Sequence, residues 1–262
     1  MGKSKDSKKV KAQQPTLFTP FTLRGITARN RIWMPPMDTY SAFALDGRPG
    51  NFHYQHYVSR AMGGFGLIIV EATAVTPDGR ISPCDLGLWE DSQIDSYRWI
   101  AQGMKDAGAV PAIQLNHAGR KGSTSCFAIR TDSGYVSPEL GGWQTVAPSE
   151  LPFGDLPAPR QLTVDAAHGY LLSEFLDPLV NDRDDEYGGS LENRIRIVIE
   201  VADAIRSVIR GDMPLFARIS ATDWAEGGWD LDQSIVLAKA LKEHGVDLVD
   251  VSTGGILPNV TI

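Results

Sequence analysis

The sequence predicts an α/β fold in which parallel strands alternate with helices, of the (β/α) barrel type but incomplete, with about five of the eight strands that closure requires. Three observations predict it. At 262 residues, with 42% hydrophobic and 22% charged side chains, the chain is long enough to bury a core of barrel size. Apolar runs of strand length recur along it, and segments of helical period separate them.

Taken in order, Arg31 to Met34 reads as a short strand ending at Pro35-Pro36, followed by a helical pattern from His53 to Met62. Phe65 to Val75 is a continuous apolar run suited to a strand buried on both faces. Ile94 to Ala107 is helical and Val110 to Leu115 is a third strand. A helix from about Leu191 to Ile209, a strand Leu215 to Ser220, a helix Leu231 to His244 and a strand Val246 to Val251 complete the pattern. Between the third strand and Leu191 lies a Gly-, Pro- and Ser-rich stretch with no convincing strand and one short helix around Tyr170 to Phe175. So long a loop is uncommon in a compact domain, which suggests that a regular unit is absent there.

Net charge is −7, yet residues 1–14 hold Lys3, Lys5, Lys8, Lys9 and Lys11 against Asp6. The expected organisation is therefore a basic, disordered tail over 1–14 and one barrel-type domain over 15–262. An acidic body argues against nucleic acid as a partner. The absence of a span-length apolar run argues against a membrane and for a cytoplasmic protein. Cys84 and Cys126 fit neither a disulfide framework nor a CxxC motif and read as ordinary thiols.

In such a barrel, reactive groups sit where strands end and loops begin. That rule selects Met37, Asp38 and Tyr40, Glu71 to Thr73, Gln114 to His117, Arg218 to Asp223 and Ser252 to Gly255. Three chemistries compete for them. A metal hydrolase could use His117, His168 and a carboxylate, though no tight ligand spacing supports it. A glycosidase could pair Glu71 with Asp38 or Asp223. A flavin enzyme would use an apolar seat, an amide, a cation and a proton donor, which Met37, Gln114, Arg218 and Tyr170 supply. Each has a plainer alternative: the histidines as hydrogen-bonded structural groups, Arg218 as an ion-pair partner, Gln114 as a backbone satisfier. Gly63-Gly64-Phe65-Gly66 precedes a strand instead of following one, so it is no phosphate-binding fingerprint.

Seven segments, read together, resemble the old yellow enzyme family: LFTPFTLRGITARNRIWMPPM (17–37), GLIIVEATAV (66–75), IQLNHAGRK (113–121), PAPRQLT (157–163), AAHGYLLSEFL (166–176), NDRDDEYGGSLENR (181–194) and PLFARISATDW (214–224). The resemblance implies a TIM barrel that binds FMN and passes hydride from NADPH or NADH through the flavin to an α,β-unsaturated substrate such as an enone. It makes Tyr170 the proton donor and His168 a hydrogen-bond donor to the substrate carbonyl, with Tyr40 beside the substrate. It assigns Pro35, Pro36, Met37, Asp38, Ala72 by its backbone, Gln114 and Arg218 to FMN. Asp38 stands where the family has Cys or Thr, which implies a lowered flavin potential or an altered Asp38 pKa. Asp165 stands where a second substrate-binding histidine is usual. One βα unit before His168 and the last two strands are not found, so a nonenzymatic relative that completes its sheet with another chain is the alternative; homo-oligomer formation stays open.

Overall fold

The computed structural model describes residues 16–162 and 170–260. A hairpin opens them, β1 (Phe21–Leu23) antiparallel to β2 (Ile26–Ala28), followed by β3 (Trp33–Met34), α1 (Asn51–Met62) and β4 (Leu67–Ala74). Next come β5 (Leu86–Gly87), α2 (Ile94–Asp106), β6 (Val110–Asn116), β7 (Val146–Ala147) and β8 (Arg160–Gln161). The remainder is α3 (Tyr170–Leu176), α4 (Leu191–Val208), β9 (Phe216–Ser220), α5 (Leu231–Glu243) and β10 (Leu248–Ser252). The four long helices and five barrel-type strands fall where the sequence predicts them, within one or two residues at most ends.

Local chemistry explains the boundaries. Gln93 folds back on the start of α2 to accept the Trp89 and Glu90 N–H groups. Ser190 caps α4 by accepting the Asn193 N–H, and Asp230 caps α5 by accepting from Gln233. After α5 the chain must reverse into β10, and Gly245 does this in the left-handed region at φ 83°, where a side chain would be strained.

Two parallel sheets hold the barrel-type strands. In one, β4 lies between β3 and β6, with β5 extending its C-terminal end; in the other, β9 pairs with β10. Each is backed by its own core. Ile68 and Val70 pack with Tyr57 and Ala61 of α1 and Ile100 and Met104 of α2. Ile219 and Val246 pack with Phe175 of α3, Ile197 of α4 and Leu237 of α5. The sheets are tied together at one side, where Trp33 stacks on Phe216 with ring centroids 5.9 Å apart. The Arg24 guanidinium there also pairs with Asp247 at 2.7 Å, and Gly25 N–H donates to the Asp212 carbonyl. On the opposite side, among the described residues, β6 has no strand neighbour beyond β4, and the wall is open toward β9.

Two expectations need correction. Cys84 and Cys126 are joined as a disulfide, with Cα atoms 6.2 Å apart. Folding brings together loops whose proximity no spacing rule encodes. The stretch read as strandless contains the short parallel pair β7–β8. The β1–β2 hairpin turns on Arg24 and Gly25, with Arg24 at φ 47°, and carries none of the usual turn dipeptides. Residues 1–14, and Asp165 and His168, lie outside the described residues.

Candidate functional site

The strands bring the predicted residues to one place. A cleft of about 1880 Å³ is lined by Pro35, Pro36, Met37, Asp38, Ala72, Gln114, Arg218 and Tyr170. It exceeds the usual range for ligand pockets, about 300–1,000 Å³, because it extends from the strand ends onto Ile100 and Met104 of α2 and Val198 of α4. Tyr40 does not line it. Held at φ 52°, Tyr40 faces a neighbouring pocket of about 320 Å³ with Cys126, Phe127 and Arg130.

Arg218 projects from β9. Its Nη1 donates to the Pro36 carbonyl at 3.1 Å, and its Nε lies 3.3 Å from Asp250 on β10. The cation therefore bridges the two sheets at the cleft and is an ion-pair partner of Asp250. Asp250 is absent from the strand-end selection, and only the pairing of β9 with β10 reveals it. Arg218 and Asp250 occupy matching register positions on adjacent parallel strands, where opposite charges attract.

The turn after β3 is held by Glu71. The β4–β6 ladder shifts register between Val70 and Ala72, so Glu71 is the bulged residue. Its N–H, outside the ladder, donates to the Tyr57 hydroxyl at 2.9 Å. Its carboxylate is only 3% exposed; it accepts from the Thr39 N–H and hydroxyl and lies 3.1 Å from His53 Nε2. These contacts occupy Glu71 away from the cleft. Asp223 is likewise buried and accepts the Trp229 N–H, so neither carboxylate serves the glycosidase reading. His117 is buried and its Nδ1 accepts the Gly119 N–H. Among the described residues no three His, Cys, Asp or Glu side chains converge as a metal site.

Asp38 reaches back to accept the Ala72 N–H at 3.1 Å. Burial, reinforced by the nearby Glu71 charge, raises its pKa to about 6, against the lowering effects of the Ala72 N–H and Arg218. An altered Asp38 pKa is thus what the fold produces. Tyr170 opens α3, and burial, with Asp38 and Asp85 nearby, pushes its phenol up to about 12. Burial likewise raises the Tyr40 phenol. Lys121, missed in the strand-end selection though it ends the HAGRK segment, places its ammonium 4.9 Å from the Tyr170 ring centroid and donates to the Gly255 carbonyl at 2.7 Å.

Five parallel strands backed by helices, with a largely apolar cleft at the strand ends, define the class as a TIM-barrel-type α/β protein. The family profile described as NADH:flavin oxidoreductase / NADH oxidase matches residues 16–141 and 161–261. The chain is 46% identical over 253 residues to the NADPH dehydrogenase of Bacillus licheniformis, an alignment covering 92% of this chain and 74% of that one. Among solved structures, the old yellow enzyme homologue from Zymomonas mobilis superposes with a TM-score of 0.75 at 29% identity, covering 92% of this chain and 74% of that one. Morphinone reductase in complex with tetrahydroNAD gives 0.73 at 28% identity, covering 91% and 74%. The chain belongs to the NADH:flavin oxidoreductase / NADH oxidase family, the old yellow enzyme group of FMN-dependent oxidoreductases. Nothing in these comparisons favours the nonenzymatic alternative.

Proposed function

We propose that the chain is an ene-reductase, taking reducing equivalents from NADPH or NADH and adding hydrogen across the activated double bond of an α,β-unsaturated carbonyl compound. One observation carries this reading: the cation, amide, apolar turn and phenol that such chemistry needs line a single cleft.

The residues fit FMN by chemical type. Pro35, Pro36 and Met37 offer an apolar seat, Gln114 an amide, and Arg218 a permanent positive charge for electron-rich flavin oxygens. Ala72 would contribute its N–H only when Asp38 releases it. When bound, FMN supplies hydride transfer between nicotinamide and alkene.

The chain's own part is proton supply and charge. With its pKa near 12, Tyr170 stays protonated through neutral pH and donates its phenolic proton to the substrate's α-carbon. His168 donates a hydrogen bond to the carbonyl oxygen, where negative charge develops. Asp165, usually a second histidine, supplies no donor there once ionised. Tyr40 contacts the substrate from the neighbouring pocket. Residues 15–262 act as one flavin-binding unit, and the reaction is assigned to the cytoplasm, where a pool of reduced nicotinamide is available.

The test is Tyr170→Phe, followed by stopped-flow absorbance in both half-reactions of the FMN-loaded protein. Removing a general acid should slow alkene-dependent reoxidation by about 10²- to 10⁴-fold and leave reduction by NADPH unchanged. Reoxidation at the parent rate would sink the assignment of Tyr170.

A further inference from the structure

Tyr170 begins a helix of seven residues, too short to hold itself together in water. Its orientation must come from what it docks against. The contacts lead to the turn after β6: the Leu171 N–H donates to the His117 carbonyl at 3.0 Å. One turn further on, Glu174 is 1% exposed and its Oε1 accepts the Arg120 N–H at 3.0 Å. Residues four apart share a helix face, so Glu174 lies beneath Tyr170. The turn is shaped to admit this carboxyl. Gly119 adopts φ +59°, and a Cβ there would lie 2.4 Å from Oε1 and 2.5 Å from Oε2. Lys121, two residues on, is the group over the Tyr170 ring.

We propose that Glu174 is a positioning residue for Tyr170, clamping α3 to the 117–121 turn so that the phenol is held against the cleft. The inference rests on the reading of Tyr170 as proton donor. Burial raises the Glu174 acid to about 8, against the lowering effects of Arg120 and Lys121. A neutral amide is therefore a close mimic of it at neutral pH: Gln keeps the carbonyl oxygen that accepts the Arg120 N–H, and Ala removes it.

The experiment uses the full chain loaded with FMN and carrying ring-labelled tyrosine, with the Tyr170 resonance assigned by its loss in Tyr170→Phe. Glu174→Ala should shift that resonance and slow alkene-dependent reoxidation by about 10- to 100-fold, the scale of a small misplacement, while reduction by NADPH is unaffected. Glu174→Gln should retain the resonance and the rate within about 2-fold. In the Tyr170→Phe background, Glu174→Ala should add nothing, because it acts through the phenol. An unmoved resonance in Glu174→Ala, or equal slowing of both half-reactions in both backgrounds, overturns the proposal. If Tyr170→Phe alone proves as fast as the parent, the donor reading fails, and the resonance still reports whether Glu174 positions the ring. Should Glu174→Ala not fold, Gly119→Ala, which drives a methyl into the same carboxyl, must shift the resonance; if it does not, the clamp is refuted.

Discussion

The two sheets are built from strands of similar character and bury them very differently. In the N-terminal half, β4 has a partner on each side and a helical layer behind it; its residues are buried except for Ile69. In the C-terminal half, β10 has one partner, none of its residues is buried, and Val251 is 64% exposed. Both carry the β-branched, apolar composition that favours strands. Composition therefore determines that a strand forms, and the neighbours determine whether its side chains leave water.

Matched truncations would break that comparison most directly. Ile68→Ala in β4, at a site with no exposure, should cost about 2–5 kcal/mol. Val251→Ala in β10 should stay within about 0.5 kcal/mol. Denaturant unfolding measures both, and a Val251 loss equal to that at Ile68 would mean that β10 is covered in solution.

A smaller effect concerns pH. Burial raises Asp38 to about 6 and Asp85 to about 7 in the N-terminal half, and Asp223, with Asp177 beside it, to about 7 and Glu174 to about 8 in the C-terminal half. A raised carboxyl pKa means that the folded state binds the proton more tightly. Its contribution is fully present below the unfolded-state value and is lost as pH rises through the folded value. Stability should thus fall between about pH 4 and pH 8, each group contributing from about pH 4 up to its own folded value and Glu174 the furthest. Glu174→Gln should lessen the fall across the window from about pH 4 to pH 8, most visibly above about pH 7 where the other groups have ionised, as read from unfolding midpoints across pH. An unchanged slope would show that Glu174 does not titrate in this window.

The smallest effect is at the seam. Asp250→Asn removes the charge facing Arg218, but the pair is about one-third exposed, and such pairs contribute at most about 1 kcal/mol. Thermal unfolding should move by no more than about 4 °C. A larger drop would make the seam, not the separate cores, the principal support of the C-terminal sheet.

Much of this architecture was legible in the residues. FGLIIVEATAV announced a doubly covered strand, and the long helices showed their period. Met37, Gln114 and Arg218 were found because the ends of barrel strands converge. What escaped depended on distance or depth. The β7–β8 pair is two residues a side, too short for a period. The Cys84–Cys126 bridge required knowing which loops meet. Asp250 acquires its role only from the β9–β10 register. Glu174 reads as an ordinary solvent-facing helix residue, and only the approach of Gly119 reveals a carboxyl sealed from water.

The stacking of Trp33 on Phe216 bears on how the molecule comes into being. The first barrel strand finds this cross-sheet partner about 180 residues later in the chain, and Arg24 waits longer still for Asp247. At translation rates of about 5–20 residues per second, that interval is roughly 10 to 40 s. During it the N-terminal sheet can assemble on its own helices, but its seam must stand open on the ribosome. Contacts of such long range also make refolding slow. The seam that completes the site thus forms only after both sheets have been made.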